Sequence, residues 1–278
     1  MTFPSPGPHI PTLFARAAEL YAQGAWPAAV AAYTDVLALA PDLVAAYVER
    51  GLIYREMGDS ARALADFEHA LRRNPTYGPA YYGRGWVRHG RGDFAGELQD
   101  AQQGLEFDTD PAHAGMYYRR IGAARHGLKQ YPAALAAYDQ ALAQWPDDEG
   151  TLYNRGLCYA DMGQAALARA DFTRALELDP DWAWAAAARG HVQLRQGALP
   201  QALADFDLAI RSDPSYISAY LGRAEVYAAQ HDPERALADY RHVLRLTTNP
   251  RVRQMVEQQI ATLEAARRRA GGRGWFRR

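Results

Sequence analysis

Proline recurs along this sequence at a fixed interval, and the interval leaves few folds open. Pro41 and Pro75 are 34 residues apart, as are Pro146 and Pro180, and again Pro180 and Pro214. A period of that length marks an array in which one small unit is copied and stacked. With this proline taken as position 32, units begin at Ile10, Val44, Gly78, Gly115, Glu149, Ala183 and Ile217, and the third is three residues longer than the rest.

Within that register the same kinds of residue return. Position 8 is Gly51, Gly85, Gly122, Gly156 and Gly190, and position 20 is Ala29, Ala63, Ala134, Ala168, Ala202 and Ala236. Position 24 is a large ring: Tyr33, Phe67, Tyr138, Phe172, Phe206 and Tyr240. Small sites on two helices with a ring between them are what close helix packing requires. Gly24, Gly58, Gly92, Gly163 and Gly197 at position 15 fit a left-handed helix end, and the proline stops the second helix. Apolar residues between these marks recur every three or four positions, so each unit reads as an antiparallel helix pair. One pair cannot cover its own apolar face, so neighbours must stack.

The series Tyr47, Gly51, Tyr54, Gly58, Ala63, Phe67, Ala70, Pro75, and its counterpart Leu152, Gly156, Tyr159, Gly163, Ala168, Phe172, Ala175, Pro180, resembles the tetratricopeptide-repeat (TPR) consensus. The resemblance covers residues 10–250 and implies an all-α fold, a right-handed superhelical solenoid of antiparallel helix pairs. The expected units are 10–43, 44–77, 78–114, 115–148, 149–182, 183–216 and 217–250, with 1–9 a flexible segment. After Pro250, Val252, Val256, Ile260 and Leu263 share one helical face, predicting a capping helix over 251–270 ahead of a basic, disordered tail at 271–278.

The third unit departs from the pattern, with Glu97, Ala101 and Gly104 where Ala, a ring and Ala are expected. This predicts a looser second helix or an irregular junction near 96–114, which would split the solenoid into two stiffer halves. Lys129 and His231 replace the turn glycine in units 4 and 7. A pairing also emerges from the copies. Arg16, Arg50, Arg84, Arg155, Arg189 and Arg223 hold position 7, and Asp66, Asp100, Asp171, Asp205 and Asp239 hold position 23. These positions lie level in an antiparallel hairpin, and unit 4 lacks both residues, so an Arg–Asp bridge inside each unit is expected, structural rather than ligand-binding.

Composition narrows the function. The formal net charge is −1, giving no global pull toward nucleic acid or anionic lipid, although residues 251–278 hold eight Arg against two Glu. Arg267, Arg268, Arg269, Arg273, Arg277 and Arg278 therefore offer an alternative role, tethering to nucleic acid or an anionic membrane surface. A lone cysteine, Cys158, excludes an internal disulfide framework and reads as a small buried hydrophobe. The opening residues lack the basic start and apolar run of a signal peptide, and no stretch approaches the ~20 apolar residues of a membrane span, so a cytoplasmic protein is expected. HExxH, GxxxxGK and GxSxG are all absent. No enzyme activity, cofactor or metal is expected.

What is known of the TPR family implies that first-helix positions line a concave groove for a peptide or partner protein. Carried over, these are Tyr82, Trp86 and His89; Met116, Arg119, Arg120 and His126; Tyr153, Asn154 and Asp161; and Trp184, His191 and Arg195. All are expected to face solvent, making the middle of the groove aromatic and basic and suited to an acidic group on the partner. The competing reading packs the rings against the next repeat. Glu49, Glu56 and Glu225 make the ends more acidic. The family's clamp for chaperone tails is matched only by Arg119 and Asn154, while Ala123, Trp184 and Ala188 depart from it.

Overall fold

The computed structural model describes residues 9–272, with side chains described as far as 268. Most of the expected N-terminal segment, and Arg273, Trp275, Phe276, Arg277 and Arg278 of the tail, lie outside the described residues, as does the side chain of Arg269. Among the described residues the fold is an all-α helical repeat with no strand. It divides into two compact units, Met1–Pro146 and Asp147–Arg278.

The first unit holds four helix pairs: α1 (Ile10–Ala22) with α2 (Trp26–Leu39), α3 (Val44–Glu56) with α4 (Ser60–Arg73), α5 (Gly78–Gly90) with α6 (Phe94–Phe107), and α7 (Ala114–Gly127) with α8 (Tyr131–Gln144). The second holds α9 (Glu149–Asp161) with α10 (Ala165–Leu178), α11 (Ala183–Arg195) with α12 (Leu199–Ser212), and α13 (Ile217–Ala229) with α14 (Pro233–Leu246), followed by α15 (Pro250–Gly272). Within each unit the first helices of successive pairs are neighbours, α3 with α5 and α5 with α7, and α9 with α11 and α11 with α13.

Local chemistry sets the ends of these helices. Asp59, Asp93, Asp148 and Asp232 accept hydrogen bonds from backbone N–H groups in the first turns they precede. Ala40, Asn74, Trp145, Asp179 and Asp213 each precede a proline, which excludes them from helical geometry and ends the second helix of the pair. The turns inside the pairs pass through the left-handed region, and Lys129 and His231 adopt it without a glycine, at φ 59° and 60°.

Packing follows the small-against-large pattern. Phe67 is fully buried, wedged so that a Cβ on Gly51 of its own repeat would lie 2.9 Å from the ring, and one on Gly83 of the following repeat only 2.3 Å away. Such contacts forbid any side chain at these glycines without displacing the ring. The last helix, α15, packs on α14, with Val256 fully buried and Val252, Ile260 and Leu263 partly so, against Tyr240 and Val243. It runs two residues beyond the expected end of the capping helix.

Of the two forms expected for the third repeat, the irregular junction is present and the looser helix is not, and the expected division of the chain there is also corrected. Helix α6 is a regular helix of 14 residues, as long as its counterparts, and not a loosened one. The extra residues form the connection instead, where Asp110 caps a single 3-10 turn, Pro111–His113. Asp108 braces this connection by accepting from the Tyr117 hydroxyl at 2.9 Å, with the His113 ring also 2.9 Å away. The division of the chain falls after Pro146 rather than at 96–114.

Arg50–Asp66, Arg84–Asp100, Arg155–Asp171, Arg189–Asp205 and Arg223–Asp239 form the bridges inferred from the copies, at 2.7–2.8 Å, with every aspartate buried. Each arginine donates through both Nε and Nη2, a two-pronged contact only a guanidinium makes. A further contact escapes the repeat. Nη1 of Arg50 reaches Thr34, that of Arg189 reaches Thr173, and that of Arg223 reaches Asp207, each on the second helix of the preceding repeat.

Candidate functional site

The site-bearing surface of the second unit is a cleft of about 290 Å³ between α9, α11 and the start of α13. Tyr153, Leu157, Trp184 and Tyr216 wall it, with Phe172 behind, and Asp161, His191, Arg195 and Ser218 supply its polar edge. Trp184 is 53% exposed, an unusual state for so large an apolar ring. Arg195 is exposed at the last turn of α11 and makes no ion pair or hydrogen bond among the described residues.

Arg195 and Asp161 are the charged groups at the edge of the cleft. His191 sits edge-on to Phe206 with ring centroids 4.9 Å apart and has Nε2 3.1 Å from the Ser218 hydroxyl. Burial, aided by the Arg195 charge, holds its pKa below the usual histidine value, so the ring is neutral at pH 7. Burial pushes the Tyr153 hydroxyl up to about 12 and raises that of Tyr216 as well. Two aromatic faces, a neutral imidazole and one guanidinium suit an apolar side chain next to a carboxylate.

In the first unit, Trp86 is 38% exposed and lies under the Arg55 guanidinium, 3.6 Å from the ring centroid, with the Arg120 guanidinium at 5.4 Å. Tyr82 meets Trp86 edge-on at 5.8 Å and is approached by Arg119 at 3.4 Å. His89 places Nδ1 2.7 Å from a Glu97 carboxylate oxygen and packs edge-on to Phe94. Met116 is half-buried, as is His126 beside Tyr131.

Arg120 is the correction among the expected groove residues. It is buried and ion-paired with Glu97, itself fully buried, and burial lowers its pKa. The register explains why. Position 6 of one repeat meets the position-24 ring of the repeat before it, as Gly83 meets Phe67 and Gly222 meets Phe206. Repeat 3 has Ala101 in place of the ring, so the long Arg120 side chain fills that space and Glu97 neutralises it. Of the other groove residues, Trp86, Trp184 and Arg195 are exposed, while Tyr82, His89, Met116, Arg119, His126, Tyr153, Asn154 and His191 are half-buried.

The sequence reading did not anticipate Tyr216 and Trp182. Both occupy position 34, in the connection between repeats, and Trp182 lies 4.9 Å from Tyr153. The signal was present, since Tyr77 holds the same position in repeat 2. Cys158 is fully buried, and burial raises its thiol to about 11, which leaves it inert. Among the described residues no cluster of three or more His, Cys, Asp or Glu could hold a metal ion, and no helix is long and apolar enough to cross a membrane. Arg267 of the basic tail is ion-paired with Glu234 at 2.9 Å, and Arg268 is exposed.

Antiparallel helix pairs repeated in one register, with rings exposed along their first helices, define a helical-repeat protein. Family models of the tetratricopeptide repeat match residues 17–81, 151–181 and 187–250. The chain belongs to the tetratricopeptide-repeat family. The tetratricopeptide repeat and J domain-containing co-chaperone DNJ1 of Cryptococcus neoformans var. grubii is 28% identical over 187 residues, 62% of this chain and 35% of that protein. Superkiller complex protein 3 of Homo sapiens is 26% identical over 122 residues, 44% of this chain and 8% of that protein. The chain thus spans only part of the length of these relatives. Among solved structures, a tetratricopeptide repeat protein from Parabacteroides merdae superposes with a TM-score of 0.70 at 16% identity, covering 92% of this chain and 98% of that one. The Cut9–Hcn1 hetero-tetramer of the APC/C gives 0.73 at 15% identity over 91% of this chain and 52% of that one. These likenesses are ones of fold.

Proposed function

We propose that this chain is a non-enzymatic protein-interaction scaffold that docks an extended peptide on the first-helix face of its repeats. In the second unit, the cleft takes an apolar or aromatic side chain between Tyr153, Trp184 and Tyr216, and Arg195 receives a carboxylate of the same peptide. The observation that carries this reading is the pairing of a half-exposed Trp184 with an Arg195 that has no partner among the described residues. Aromatic and arginine side chains with these properties are the ones that dominate binding energy at interfaces. In the first unit, Tyr82, Trp86, His89 and Arg119 form a second stretch of the docking face, whereas the charge of Arg120 is committed to Glu97.

The test is affinity capture with mass spectrometry on the full chain and on the Trp184→Ala, Arg195→Gln double variant. Partners held through this face are depleted from the variant by about tenfold or more, the effect of losing one or two hot-spot contacts. An identical partner profile from a variant with unchanged helicity refutes the assignment.

A further inference from the structure

Several residues that line the cleft of repeats 5 and 6 have register equivalents in repeats 1 and 2. In the repeat register Phe172 corresponds to Tyr33, Ala160 to Tyr21, Tyr216 to Tyr77, Ala188 to Glu49 and Arg195 to Glu56. At these positions carboxylates and tyrosines stand in repeats 1 and 2 where the other cleft has an arginine, alanines and a phenylalanine, while its Trp184, His191 and Asp161 are replaced by Ala45, Leu52 and Ala22. Electrostatic coupling among these groups agrees with the register, since Glu49 acts on Tyr21, Tyr33 and Tyr77.

Two features of this place call for a ligand. Glu49 is half-buried yet makes no ion pair or hydrogen bond among the described residues, and burial raises its pKa. A carboxylate in that state is desolvated without compensation. Glu56, by contrast, is already engaged by Arg55. Independently, Tyr33 is fully buried, with Phe14 edge-on at 5.2 Å, and its hydroxyl has no hydrogen-bond partner among the described residues. Its equivalent, Phe172, lines the other cleft but carries no polar atom. An orphaned hydroxyl and an uncompensated carboxylate surrounded by electron-rich rings match a cation that donates hydrogen bonds.

We propose that repeats 1 and 2 form a cation-binding site in which Glu49, walled by Tyr21, Tyr33 and Tyr77, takes the ammonium or guanidinium group of a basic residue in a partner peptide. The proposal shares with the reading above only the premise that first-helix faces meet peptides. It stands or falls separately from the Arg195 cleft, which lies in the other unit.

The experiment titrates the full chain at low ionic strength with a fluorescein-labelled lysine-rich peptide, its acetyl-lysine counterpart and a glutamate-rich peptide of equal length. Binding of the lysine peptide is expected to weaken by about tenfold or more in Glu49→Gln, the value of one charge-assisted hydrogen bond, and as much when lysine is acetylated. Glu68→Gln, which removes an exposed carboxylate of α4, leaves it unchanged. An equal loss in Glu68→Gln assigns the binding to general charge and overturns the site. So does undiminished binding by Glu49→Gln, or no binding of the lysine peptide to the wild-type chain at millimolar concentration. Effects of Arg195→Gln on the glutamate-rich peptide report on the other cleft alone.

Discussion

Replacing Arg120 by alanine leaves Glu97, which is fully buried on α6, with His89 as its remaining partner among the described residues. Breaking a buried ion pair from one side typically costs about 3–5 kcal/mol, because the other charge stays desolvated. His89 keeps one carboxylate oxygen engaged at 2.7 Å and is itself partly exposed, which places the expected loss near the lower bound, at about 3 kcal/mol. For a chain of this size that corresponds to a fall in Tm of roughly 6–12 °C. The same argument predicts a rescue. Glu97→Ala, Ala101→Phe and Arg120→Gly together reinstate the Ala63, Phe67 and Gly83 arrangement of the preceding interface, exchanging an ion pair for a packed ring. Such exchanges are neutral or stabilising by about 1–4 kcal/mol. Urea denaturation followed by circular dichroism, with hydrogen exchange localised to α6 and α7, measures both variants. A single variant that loses less than about 1 kcal/mol, or a triple variant as unstable as the single, refutes the account of Arg120 as a substitute for the missing ring.

Two further outcomes are expected. Asp205→Ala removes the acceptor of two bonds from Arg189, at 2.8 and 2.7 Å, from a side chain only 7% exposed, and costs about 3 kcal/mol; in a double-mutant cycle with Arg189→Ala the two losses fall short of adding, by about 1–3 kcal/mol, and strict additivity in urea melts would contradict the bridge. Burial raises the Glu49 pKa above its unfolded value, so the folded state favours the neutral acid and is penalised once the group ionises. Glu49→Gln therefore raises stability at pH 7 in the absence of ligand, and the gain fades as pH falls through the raised folded-state value and is gone below the ordinary glutamate range near about 4.3. The neighbouring charged groups Arg55 and Glu56 are present in both proteins, so a pH-independent difference between their thermal melts would count against burial as the cause.

Much of the fold was legible because its signals are repeated. The Arg–Asp bridge could be read from sequence since Arg50, Arg84, Arg155, Arg189 and Arg223 recur with their aspartates, and repeat 4 loses both partners at once. The reach of Nη1 to the preceding repeat was hidden, because its acceptors are Thr34, Thr173 and Asp207, a position with no constant residue type. Arg120 was misplaced for a related reason. Position 6 faces outward or inward according to the size of the ring in the repeat before it, and a reading that treats each position alone misses the exchange of Phe for Arg across an interface. Taken together, Glu97, Ala101 and Arg120 carry that information in the sequence. Trp86, Trp184 and Arg195 are exposed, as their first-helix positions led one to expect, although Trp86 also packs against Tyr82 and the Arg55 guanidinium and Trp184 against Tyr216.

The guanidinium groups that lean toward the repeat before them give the array a polarity. Arg189 and Arg223 each couple their own hairpin to the one before it, so loss of either hairpin at such a junction breaks one bond between repeats and leaves the surviving hairpin's own Arg–Asp bridge in place.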